Sequence, residues 1–135
     1  MTDPIQQILT TTRRIAVVGA SADPDRASNE IMRFLITRGF DVVGVNPGLA
    51  GQTLHGRPVV ATLDDAAPLD MVDVFRASDQ VGPVMADAIR LGARTVWLQL
   101  GVADAEAVAA GRVAGLQVVE NRCPSIEWRR LRLPT

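Results

Sequence analysis

The sequence has no lysine, no tyrosine, one cysteine and one histidine. A single cysteine, Cys123, excludes an intrachain disulfide, so the fold must stand on its core. The one histidine, His55, lies in a Gly-rich stretch without a partner of triad or metal-ligand spacing, and reads as a loop residue. No apolar run approaches the roughly 20 residues needed to span a bilayer. The opening Met1-Thr2-Asp3-Pro4-Ile5 lacks the basic and apolar regions of a signal peptide. Both absences point to a soluble, cytoplasmic protein with no membrane partner. Excess charge of one sign is also missing. A net charge of −1 argues against a general nucleic-acid binder, which needs a basic surface. Neither internal repeats nor low-complexity linkers occur.

What is present fits one globular domain. The chain has 135 residues, 47% of them apolar, enough to bury roughly two-thirds of the unfolded surface. The domain spans 1–135, with its core over about 13–131. All 14 basic residues are arginine, the side chain best suited to bidentate phosphate contacts, although compositional bias accounts for this equally well.

Asp3-Pro4 reads as an N-cap followed by proline at the first helical position, with a short helix to about Thr11. Ile15–Val18 is the first strand. Ser28 or Asn29 can cap the next helix, in which Ile31, Met32, Phe34, Leu35 and Ile36 form an apolar face and Glu30, Arg33 and Thr37 a polar stripe. Gly39 closes it. Val42–Val45 is the second strand, 48–56 a loop, and Pro58–Val60 a short third strand. Asp64 and Asp65 mark a helix start. Met71–Phe75 is a fourth strand, followed by a helix to about Leu91 with Pro83 in its first turn. Thr95–Leu98, an Ala-rich helix from Asp104 to Ala114, Leu116–Val119 and a helix from near Pro124 complete the order.

Strands alternate with helices, and the strands are continuous apolar runs. Such runs are expected where helices cover both faces of a parallel sheet. With right-handed crossovers this predicts an α/β fold with a single doubly wound, mostly parallel, Rossmann-like sheet. Ligands of such sheets sit beyond the carboxyl ends of the strands. That rule selects Gly19, Ala20 and Ser21 after the first strand, Asn46 and Pro47 after the second, and Phe75 and Arg76 at the end of the fourth. It also selects Gln99 and Gly101 after the fifth, and Arg122 and Cys123 after the sixth.

The first of these loops has the character of a phosphate-binding loop. Small side chains let an anion approach backbone amides, and the following helix adds partial positive charge. Ser21 offers a hydroxyl, and Arg26 can bring a guanidinium onto a phosphate oxygen. The loop is not the dinucleotide fingerprint, because G-x-G-x-x-G would place glycine at Ser21 and Pro24. Asn46 stands where an NAD site carries Asp or Glu for the ribose. It can serve a ribose, including one bearing a 3′-phosphate, or be turn chemistry only; spacing does not choose between these. Cys123 falls at or beside the N-cap of the last helix and next to Arg122, a setting that activates thiols, whereas a lone cysteine is more often an inert buried one.

In these residues the chain resembles the small bacterial and archaeal CoA-binding proteins, whose fold recurs in the CoA-binding domain of the succinyl-CoA synthetase α-subunit. The resemblance rests on Val17-Val18-Gly19-Ala20-Ser21, Arg26 and Ser28, Val45-Asn46-Pro47, and Asp73-Val74-Phe75-Arg76. It continues with Trp97-Leu98-Gln99-Leu100-Gly101 and Asn121-Arg122-Cys123-Pro124-Ser125-Ile126-Glu127. It implies coenzyme A held across the carboxyl edge of the sheet, with phosphates at the Gly-Ala-Ser loop and the adenosine end at Asn-Pro. Many relatives follow Asn-Pro with lysine, where this chain has Gly48, so Arg57 or Arg26 would have to supply that contact. The phosphohistidine machinery of the synthetases is absent, since His55 lies in the wrong segment.

The expected function is therefore non-catalytic binding of CoA or an acyl-CoA, with none of the site residues catalytic and no metal. The alternatives are a small NAD(P)-binding enzyme, a thiol or acyl-transfer enzyme using Cys123, and a partner-binding module with a vestigial site. Homodimer formation stays open, because no exposed apolar patch is located by the sequence.

Overall fold

Asp3 opens the described part of the chain, residues 3–134 of a computed structural model, by accepting the Ile5 amide at 2.8 Å. With Pro4 at the first helical position, this cap starts α1 (Pro4–Thr11). Then follow β1 (Arg14–Val18), α2 (Ala27–Thr37), β2 (Asp41–Val45), β3 (Thr53–Leu54), β4 (Arg57–Val60), α3 (Leu63–Ala66) and β5 (Met71–Val74). The chain ends with α4 (Val81–Arg90), β6 (Thr95–Leu98), α5 (Ala105–Val113), β7 (Gln117–Val119) and α6 (Pro124–Arg130).

The strands form one sheet in the order β3-β4-β2-β1-β5-β6-β7. Every pairing is parallel except β3 with β4. The fold is thus the Rossmann-like α/β sheet the apolar runs predict. Alternation along each strand divides the core into two layers. Ile15, Val17, Val42, Met71 and Trp97 pack under α1, α2 and α6 through Ile8, Leu9, Ile31, Met32, Leu35 and Trp128. Ala16, Val18, Val43, Val72, Val74, Val96 and Leu98 pack against α3, α4 and α5 through Leu63, Ala66, Val81, Met85, Ala88, Ala107 and Val108. Each fully buried Val or Ile in these layers contributes ~1.5–3 kcal/mol over its exposed state. Gly111 allows α5 to lie close to α4: a Cβ there would stand 2.7 Å from Met85 Sδ. No helix among the described residues is long and apolar enough to cross a membrane.

Two local differences from the sequence reading bear on the site. The stretch read as a loop, 48–56, contains part of a 3₁₀ turn (Pro47–Leu49) and the two-residue strand β3. A strand so short has no periodicity to read. Its hairpin closes through His55 at φ +51° and Gly56 at φ +79°, two consecutive positive-φ residues that match the right-handed strand twist. Helix α2 starts at Ala27, which puts its cap two or three residues ahead of the expected Ser28 or Asn29. Arg26 holds its N-cap position without a side-chain hydrogen bond. Ser28 and Asn29 are instead buried in the first turn, and the Asn29 amide is committed elsewhere, as described below.

Candidate functional site

The carboxyl ends of β1, β2, β5, β6 and β7 converge along one edge, and the switch in winding direction falls between β1 and β5. At the end of β1, Gly19 turns the chain out of the sheet at φ +90°. Its amide donates to the Val45 carbonyl at 3.1 Å. The positive φ favours glycine here, and a Cβ on Gly19 would crowd the backbone carbon and Cβ of Phe75 at 3.3 Å. Phe75, at the end of β5, thus forms the wall behind the loop.

Beyond Gly19 the amides of Ala20, Ser21 and Ala22 have no backbone acceptor among the described residues. The loop is instead held by its carbonyls. Ala20 C=O accepts from Asn46 Nδ2 at 2.8 Å, and Ser21 C=O accepts from Asn29 Nδ2 at 2.8 Å. The Ser21 hydroxyl takes the Asp23 amide at 3.1 Å. Carbonyls fixed inward leave amide hydrogens for an incoming anion, which is the arrangement a helix N-terminus favours. Arg26 is exposed at the head of α2, and Arg76 is half-buried after β5. Neither makes an ion pair among the described residues.

Beside this loop a cleft of about 280 Å³ is lined by Val18, Val45, Pro47, Leu63, Arg76 and Val84, among others. It brings Pro47 and Arg76, chosen from separate strand ends, to one place. Asn46 borders it with both amide groups engaged: Nδ2 on Ala20 C=O, and Oδ1 on the Gly48 amide at 2.9 Å. Arg57, offered by sequence as a substitute for a lysine after Asn-Pro, is bound to Asp41 and donates from Nε to the Val42 carbonyl at 3.0 Å. It is thereby held at the opposite end of β2 from Asn46.

The other end of the edge is built by β6, β7 and α6. From β2 to β7 there are four strand spacings, ~19 Å. Gly101, at φ +83°, donates its amide to Asn121 Oδ1 at 3.1 Å, which ties the loops after β6 and β7 together. Trp97 Nε1 donates to the Arg122 carbonyl at 2.9 Å. Cys123 is the N-cap of α6, as the position of Pro124 predicts. It is buried, and its Sγ lies 3.2 Å from Ser125 Oγ. Arg122 is exposed and stands 3.7 Å from Glu127. A second cleft, about 580 Å³, is lined by Leu100, Asn121, Arg122, Cys123 and Ile126 together with residues of α1. Of the candidates, Pro47 and Arg76 line the first cleft and Arg122 and Cys123 the second; Gly19, Ala20, Ser21, Arg26, Asn46 and Phe75 belong to the loops beside the first, Gly101 to the loop beside the second, and Ser28 is buried within α2.

Sequence reasoning did not single out the oddest group at this edge. Asp73, on β5 opposite Val17 and Trp97, is fully buried, and neither carboxyl oxygen has a partner among the described residues. Burial pushes its carboxyl well above the ordinary carboxylate range, because an apolar surround disfavours the charged form. Gln99, on the same side of the neighbouring strand, is also buried with Oε1 unpartnered. Sequence signals of an acid inside an apolar strand, Met71-Val72-Asp73-Val74, were present. Among the described residues no group of three or more His, Cys, Asp or Glu side chains is placed to hold a metal ion.

Fold and edge geometry define a small Rossmann-like α/β domain. Its sequence narrows this further: the model of a CoA binding domain family matches residues 13–129, and the chain belongs to that family. An uncharacterized Bacillus subtilis protein, YneT, is 32% identical over 119 residues, which cover 88% of this chain and 87% of YneT. A solved structure from Thermus thermophilus, cell-free ID.343, superposes with a TM-score of 0.91 at 36% identity, covering 97% of this chain and 99% of that one. A hypothetical protein from Pyrococcus horikoshii OT3 superposes with a TM-score of 0.90 at 36% identity, covering 98% and 93% respectively.

Proposed function

We propose that this protein binds coenzyme A or an acyl-CoA along the carboxyl edge of its sheet and does not transform it. The observation that carries this reading is the loop after β1. Among the described residues the amides of Ala20, Ser21 and Ala22 have no backbone acceptor, beside a helix start without a side-chain cap and two arginines, Arg26 and Arg76, without ion-pair partners. Such a corner suits a diphosphate, which accepts several N–H bonds at once and draws further on guanidinium charge. Membership of the CoA binding domain family supports the identity of the nucleotide. The pantetheine arm would then run along the edge from the first cleft toward Gly101, Arg122 and Cys123, the thiol end last.

The non-catalytic part of the proposal rests on Cys123. A transferring thiol works as an accessible thiolate with a base at hand. Here the sulfur is buried and engaged with the Ser125 hydroxyl. Nicotinamide chemistry is disfavoured by Ser21 and Pro24 within the loop and by Asn46 in place of an acid.

Native mass spectrometry of the purified protein, followed by calorimetric titration with CoA, acetyl-CoA and NAD, tests the reading. One equivalent of CoA or acetyl-CoA should bind, remain chemically unchanged and outcompete NAD. Binding of NAD alone, or turnover of the acyl-CoA lost in Cys123→Ala, would overturn it.

A further inference from the structure

His55 is the only titratable side chain of the β3–β4 turn, and the turn does not need it. Its backbone lies at φ +51°, where Asn, Asp or Gly is easier to hold. Asn or Gly would fill this turn equally well, so the imidazole ring is the feature to account for. His55 Nε2 lies 3.1 Å from Asn29 Oδ1 and 3.2 Å from the Asn29 carbonyl, across 26 residues of sequence. Both neighbours are acceptors, so Nε2 carries the hydrogen and donates. Asn29 is buried in the first turn of α2, and with Oδ1 held by the imidazole its Nδ2 donates to the Ser21 carbonyl at 2.8 Å.

From this chain of bonds we infer that His55 is a positioning residue for ligand binding, acting through Asn29 on the Ser21–Ala22 peptide. Ser21 C=O and the Ala22 N–H belong to one planar unit. Fixing the carbonyl toward Asn29 therefore fixes the Ala22 amide in the opposite direction, away from the helix and toward the anion site. Without the imidazole, Asn29 can turn its amide over, and the peptide loses its anchor. The hairpin is thus a brace for the anion loop rather than a lining of it. This inference rests on the proposed anion site, although the relay itself is a property of the unliganded protein.

The deciding variant is His55→Asn, which suits the positive φ but is too short to reach Asn29. Three measurements are made on the full chain: thermal stability, amide NMR of the unliganded protein, and calorimetric titration with CoA. Stability should change little, the easier backbone offsetting the bond lost to Asn29; the Ser21 and Ala22 amide resonances should move and broaden, and CoA affinity should fall by about tenfold, the scale of one lost hydrogen bond. Unchanged loop resonances would overturn the relay. Moved resonances with unchanged CoA affinity would overturn the positioning role. If the wild-type protein binds no CoA at all, the proposed function fails, and the amide spectra alone decide whether His55 orders the loop.

Discussion

Asn46 Nδ2 donates to the Ala20 carbonyl at 2.8 Å, joining the loop after β2 to the loop after β1 across 26 residues of sequence. The same side chain accepts the Gly48 amide at 2.9 Å. One side chain therefore fixes both loops, and it must be a donor on one side and an acceptor on the other. A carboxylate meets only half of that requirement, which explains physically why an acid at this position would be out of place.

Asn46→Asp is accordingly expected to set a carboxylate oxygen against the Ala20 carbonyl. The lost donor and the facing lone pairs should cost about 1–3 kcal/mol of stability. The added negative charge should weaken CoA binding at least tenfold. Urea denaturation reads the first effect and calorimetry the second; a variant as stable and as avid as wild type would show that the clamp has no energetic role.

Gly19→Ala should be damaging for two separate reasons. The φ of +90° disfavours any side chain, and the new methyl would press at 3.3 Å on Phe75. A loss of about 1–3 kcal/mol is expected from the backbone conformation alone. CoA affinity should drop with it, because the loop can relieve the contact only by moving its amides.

Asp73 makes stability depend on pH in an unusual direction. Its folded carboxyl sits well above 3.8, so between that value and its folded value the native state holds a proton that the unfolded chain releases. Stability should therefore fall as pH rises, by about 1.4 kcal/mol per pH unit from this group across that window, and level off once the folded group ionises. Asp73→Asn removes the ionisation. The variant should gain on wild type as pH rises above about 4 and lose that advantage below it. Denaturant midpoints at several pH values test this; parallel curves would mean that the buried acid is ionised in the folded protein.

Arg26→Ala separates two docking modes at the head of α2. If its guanidinium meets the 3′-phosphate, affinity for CoA should fall roughly tenfold or more while affinity for 3′-dephospho-CoA barely changes. Equal losses for the two ligands would place Arg26 on the diphosphate.

The layered architecture was legible in the sequence because helices on both faces turn each central strand into an unbroken apolar run. Ile15–Val18 and Thr95–Leu98 carry that signal in full. The carboxyl-edge rule then selected loops that the structure gathers along one edge. What it could not supply was the pairing within them. Asn46 with Ala20, and His55 with Asn29 and Ser21, are partners only after the chain has folded, and neither pair has a local signature. The depth of Asp73 was hidden likewise, since a single acid in a strand can face water as readily as a core. β3 escaped because two residues have no period, and its turn uses His where Asn is the usual cue.

The two margins of the sheet are short: Thr53–Leu54 on one side and Gln117–Val119 on the other. A flank of two or three residues exposes few unsatisfied main-chain groups for another molecule to extend, and Pro58 removes one more donor close to the first flank. The protein should consequently resist end-to-end ribbon growth even at high concentration, without relying on net charge to keep its copies apart.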